Sequence, residues 1–140
     1  MTNILRKEGF PEFNKWINKN PKFDARDGWA YTDIDGFWMN WKTGHRMLIE
    51  VKNFTDEVRT YQRINFQGLD TLLRNHAHEI GWTYGGYYVI YLSEGDPTKG
   101  EISIQHISSI TKNTVTLEQL EDLMSFKEIG VFKPIVRKYN

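Results

Sequence analysis

The stretch TDIDGFWMNWKTGHRMLIEVK, from Thr32 to Lys52, decides how this chain folds. Phe37, Trp38, Met39 and Trp41 make an aromatic-rich first strand, and the run from Arg46 to Lys52 makes a second. The residues from Lys42 to His45 hold a glycine suited to a hairpin turn. With Thr43 and Gly44 as the loop residues, paired numbers sum to 87, so Phe37 faces Glu50 and Asp35 faces Lys52. Side chains alternate along each strand, which gathers Asp35, Glu50 and Lys52 on one face and sends Ile49 and Val51 into a core on the other. Directly opposed residues have Cβ atoms roughly 5 Å apart. Two carboxylates beside an ammonium offer hard oxygen ligands to Mg²⁺ or Mn²⁺, and a positive charge to a phosphate or a water.

An aspartate at the start of one strand, then a hydrophobic strand ending Glu-x-Lys, resembles the PD-(D/E)XK nuclease superfamily. Asp35 forms one half of the motif, and Ile49, Glu50, Val51 and Lys52 the other. The lead-in from Asp33 to Gly36 is also similar to that superfamily's, with Thr32 where the naming proline would stand. The resemblance implies a restriction-endonuclease-like core and metal-dependent hydrolysis of phosphodiester bonds, with DNA as the substrate of most members. It implies Mg²⁺ or Mn²⁺ on Asp35 and Glu50, with Lys52 orienting the attacking water and stabilising the transition state. A glutamate on the first helix often completes the metal site in the superfamily; Glu12 is the candidate here and Glu8 the reserve. Asp33 shares a face with Asp35 and is the alternative motif aspartate. Members often work as homodimers. The competing reading is a non-catalytic α/β interaction or structural module, since alternating charge on a strand face also keeps a half-buried strand soluble.

Bulk properties leave both readings open. A chain of 140 residues is most simply one domain over residues 1–140, long enough to bury a core. With no cysteine, disulfides, thiolate metal sites and a cysteine nucleophile are excluded, which fits a cytoplasmic protein. No apolar run approaches the ~18–20 residues that span a bilayer, so no membrane association is expected. Formal net charge is zero, which argues against a protein that coats nucleic acid and less against a nuclease whose site must be acidic. The last ten residues, VFKPIVRKYN, carry three cations and no acid, and such a tail suits a phosphate backbone or plain solvation.

The remaining chain supplies the scaffold. Residues 11–19 read as a short helix with Phe13, Trp16 and Ile17 on one face, closed by Asn20-Pro21. Glu12 sits in its first turn, where the helix dipole alone would favour it. A short strand is expected around Trp29. Residues 56–79 read as a long amphipathic helix with Val58, Tyr61, Leu69, Leu72, Leu73 and Ile80 inward and Arg59, Arg63, Asp70 and Arg74 on the wet side. Gln62 falls near the centre of that stripe and points to the Asp35, Glu50 and Lys52 face, where the resemblance also implies a site glutamine. A glutamine capping the helix start is the alternative there. Gln67 falls on the solvent side. Residues 86–93 and 101–107 are strands, and Thr116 with Gln119 forms a capping box opening a last helix. The order of elements gives an α/β domain with a mixed central sheet flanked by helices. The four histidines are too scattered for a zinc signature.

Overall fold

The computed structural model describes residues 11–27, 29 and 34–127. The chain divides after Asp33 into two compact units. In the first, helix α1 covers Pro11–Lys19 and two 3₁₀ turns follow at Pro21–Phe23 and Ala25–Asp27. The Asn20 side chain caps the first turn by accepting the Lys22 N–H. Phe13, Trp16, Phe23 and Trp29 form a chain of ring contacts at 5.4–6.0 Å, yet Phe13, Trp16 and Trp29 stay exposed. Glu8, Asp33 and the basic tail lie outside the described residues. So does most of the strand expected around Trp29, which itself is not in a strand.

The second unit is an α/β domain on a mixed sheet. Its described strands are β1 Gly36–Asn40, β2 His45–Asn53, β3 Thr83–Leu92, β4 Ile102–His106 and β5 Asn113–Val115, adjacent in that order. Neighbours are antiparallel except β2 and β3, which run parallel and are joined through helix α2, Thr60–His76, and a 3₁₀ turn, Ala77–Ile80. A parallel pair needs such a crossover. Helix α3, Leu117–Met124, opens on the expected box, with the Gln119 N–H donated to Thr116 and the Thr116 N–H to Gln119. No described helix is long and apolar enough to cross a membrane.

Both faces of the sheet are covered. Met47, Ile49, Ile90 and Ile104 pack with Leu120 and Leu123 of α3, while Leu48, Tyr87, Val89 and Tyr91 pack with Phe66 of α2. Two-sided burial explains why the middle of β2 is an unbroken apolar run. Val51, expected in the core, lies beyond the cover and is 44% exposed.

The hairpin register differs from the expected one by two residues. Asn40 pairs with His45 and Phe37 with Leu48, so paired numbers sum to 85 and the loop holds four residues, 41–44. The Asn40 side chain accepts the N–H groups of Lys42 and Thr43, and Gly44 closes the loop at φ +83° with its N–H on the Asn40 carbonyl. An asparagine that bonds its own turn holds the wider loop. A shift of two preserves the face of every side chain. Asp35 therefore stays on the expected face, but opposite Glu50 rather than Lys52.

Helix α2 also departs from expectation. It starts at Thr60, four residues later than the pattern suggests, and is rotated: Phe66 and Asp70 are its buried residues, while Tyr61, Leu72 and Ile80 are exposed. Asp70, assigned to the wet side, is fully buried. It accepts the Tyr84 hydroxyl at 2.8 Å and is held by Arg74 at 3.3 Å, with His106 Nε2 3.7 Å away. Gln67, also assigned to solvent, donates to the Ile107 carbonyl at 3.1 Å.

Candidate metal site at the head of the hairpin

Asp35 immediately precedes β1, and Glu50 lies in the buried part of β2. Hydrogen bonds lock the two together. The Asp35 N–H donates to Glu50 Oε1 at 3.1 Å, and the Val51 N–H donates to Asp35 Oδ2 at 2.9 Å. Each acid thus holds the other strand's backbone, and the pair sits where the β1–β2 ladder ends. The Tyr87 hydroxyl on β3 gives Glu50 Oε1 another donor at 2.9 Å.

The environments of the two carboxylates differ. Asp35 is exposed, whereas Glu50 is only 2% exposed. Burial pushes the Glu50 carboxyl up to about 7. The Asp35 N–H and the Tyr87 hydroxyl pull it down, and the Asp35 charge pushes it further up. Burial, and then Glu50, push the Tyr87 phenol above its ordinary range, so it stays a donor at neutral pH. The motif reading did not identify Tyr87. Its strand was legible, but its place behind Glu50 depends on the parallel β2–β3 register, which shifts between Arg46 and Leu48. Gly86, at φ +119°, lies in the opposed segment of β3; a side chain there would strike the Tyr88 ring.

Lys52 is half-buried, pairs with Tyr91 of β3 and shares the Glu50 face by alternation. Among the described residues it forms no ion pair with Asp35 or Glu50. Its ammonium is thus not consumed by the acids. Gln62 accepts the Arg59 N–H at 3.4 Å, the bond of a glutamine at a helix start. Glu12 belongs to the first unit, where it pairs with Lys15 at 3.4 Å.

The Asp35–Glu50 pair suits a hard divalent cation. Two carboxylates held together in a partly dehydrated place repel, and a cation between them would offset both the burial of Glu50 and that repulsion. Among the described residues no group of three or more acids and histidines is placed to hold a metal. Two carboxylates are nevertheless the protein share usual for Mg²⁺, which keeps several waters and binds substrate phosphate. Comparison with family models, curated proteins and solved structures returns no match.

Proposed function

We propose that this chain is a metal-dependent nuclease that hydrolyses phosphodiester bonds, with DNA as its substrate, on a restriction-endonuclease-like core. The observation that carries the proposal is the Asp35–Glu50 pair: two acids from the two strands of one hairpin, each bonded to the other's strand, with Lys52 on the same face. Asp35 and Glu50 would hold Mg²⁺ or Mn²⁺. A bound divalent ion supplies a water of lowered pKa and neutralises charge growing on the phosphate oxygens.

The chain's own residues do the rest. Tyr87 and the Asp35 N–H hold Glu50 Oε1, which leaves Oε2 for a ligand. Lys52, free of those acids, offers its ammonium to the phosphate and to the attacking water. Gln62 assists only if it leaves its cap. The outward stripe of Tyr61, Ile64 and Leu72 on α2, all exposed, gives homodimer formation a physical basis. The same stripe favours the second reading, a non-catalytic interaction module in which the hairpin acids are structural. The absence of cysteine suits a cytoplasmic setting for either.

Incubation with plasmid, linear, single-stranded and branched DNA in Mg²⁺, Mn²⁺ and EDTA separates the two. Cleavage is expected with metal and not with EDTA, and Asp35→Asn and Glu50→Gln should each abolish it while the protein still folds. Lys52→Ala should lower turnover by about 10²–10³, the usual loss of one preorganised donor, with metal affinity almost unchanged in calorimetry. If the Asp35→Asn protein still cuts at the wild-type rate, the assignment is wrong.

A further inference from the structure

An open groove of about 600 Å³ lies on the same sheet face, one strand over from Lys52, lined by Arg63, Gln67, Tyr91, Ser108 and Lys112, with Glu57 at one side. Its walls are fixed. Tyr91 donates its hydroxyl to Gln105, and Gln105 donates to the Ser109 carbonyl at 2.8 Å. Arg63 and Gln67 both donate to the Ile107 carbonyl, at 3.2 and 3.1 Å. One guanidinium nitrogen is thereby used as an anchor, and the remaining N–H groups have no acceptor among the described residues. Lys112 sits 4.0 Å over the Tyr91 ring and only 4.0 Å from an exposed Glu57 carboxylate, too loose a pair to neutralise it. The Ser108 hydroxyl is buried with no hydrogen-bond partner among the described residues. A buried hydroxyl without a partner normally costs free energy, so an occupant that bonds it is favoured.

Two cations, one weakly opposed anion and an unpaired hydroxyl describe a receptor for a phosphate group. The groove's position says which kind. Tyr91 is the register partner of Lys52 and follows Val89, the partner of Glu50, by two residues on the same face. A phosphodiester strand placed at Asp35, Glu50 and Lys52 therefore has its continuation beside Tyr91. The Tyr91 ring is covered by Lys112 and 1% exposed, so it offers no stacking surface. Ile110, on the rim and almost wholly exposed, can meet a sugar or base without selecting it. The geometry points to a groove that binds the phosphodiester backbone of a nucleic-acid strand, independently of sequence. It rests on the nuclease reading and extends it by giving the substrate a path away from the hairpin.

The test is the anisotropy of a labelled single-stranded oligodeoxynucleotide titrated with full-length protein in EDTA, where hydrolysis plays no part. The paired substitution Arg63→Gln with Lys112→Gln should weaken binding on the order of tenfold at low salt. It should also flatten the salt dependence by about 1.4, roughly 0.7 for each phosphate of a single strand that is no longer neutralised. Arg63→Lys, which keeps the charge, should retain most of the affinity, and circular dichroism should report an unchanged fold for each variant. Equal affinity and equal salt slope in the wild type and the paired variant overturn the groove. So does displacement of the oligonucleotide by inorganic phosphate at matched phosphate concentration, which would mark a small-anion site. If the wild type cuts no DNA in Mg²⁺ or Mn²⁺ while the paired variant still loses binding, the nuclease reading fails and the groove stands. If cleavage is normal and the paired variant binds normally, the groove alone fails.

Discussion

At Glu50 a carboxyl group with almost no access to water lies between a tyrosine hydroxyl, a backbone amide and a second carboxylate. Its folded value of about 7 lies above the 4.5 of the free side chain. The folded state therefore binds more protons than the unfolded one between those two values. Below pH 4.5 Glu50 makes its full contribution to stability, and that contribution is lost as pH rises through about 7. The loss is up to roughly 3 kcal/mol. Urea denaturation in EDTA from pH 4 to 8 should show wild-type stability falling across this range, and Glu50→Gln should flatten the fall. Parallel curves for the two proteins would mean that Glu50 titrates alike in the folded and unfolded states. The same proton must leave when a cation binds, so Mg²⁺ or Mn²⁺ affinity should rise from pH 6 to 8. Calorimetry in buffers of different ionisation enthalpy should register the proton released.

Helix α2 is the element through which the sheet, the groove and the outward stripe are connected. Gly68 lies within it on the exposed side, and a β-carbon there would meet nothing within 4 Å. Gly68→Ala should therefore stabilise the protein by about 0.5–1 kcal/mol through the helix alone, read as a shift in the urea midpoint. A destabilisation would show that this surface is covered in solution, as a homodimer through Tyr61, Ile64 and Leu72 would require.

Across the whole molecule, Asp70 ties three elements together: Arg74 on its own helix, Tyr84 on β3 and His106 on β4. Removing the acid takes from Arg74 and from the half-buried Tyr84 phenol the carboxylate they share. Asp70→Ala should cost about 3 kcal/mol or more in chemical denaturation. Asp70→Asn, which keeps one oxygen for Tyr84, should cost less. A small and equal loss in both would mean that the network is dispensable to the fold.

Local chemistry alone determined much of this. Helix α1 was legible in Pro11 and its aromatic spacing, the start of α3 in the Thr116–Gln119 box, the hairpin in Gly44, and the face shared by Asp35, Glu50 and Lys52 in strand alternation. Each depends on neighbours a few residues apart. The register could not be read, because Asn40 chose a four-residue loop by bonding its own turn, but the two-residue error left every face unchanged. Burial of Glu50, its Tyr87 partner and the rotation of α2 toward Asp70 were decided by tertiary structure. A periodicity count sends every charge to water, whereas Asp70 is inside because partners from β3 and β4, remote in sequence, satisfy it there. The groove has the same origin. Arg63, Tyr91 and Lys112 have no pattern along the chain, and meet only because α2 crosses from β2 to β3 and β4 returns beside them.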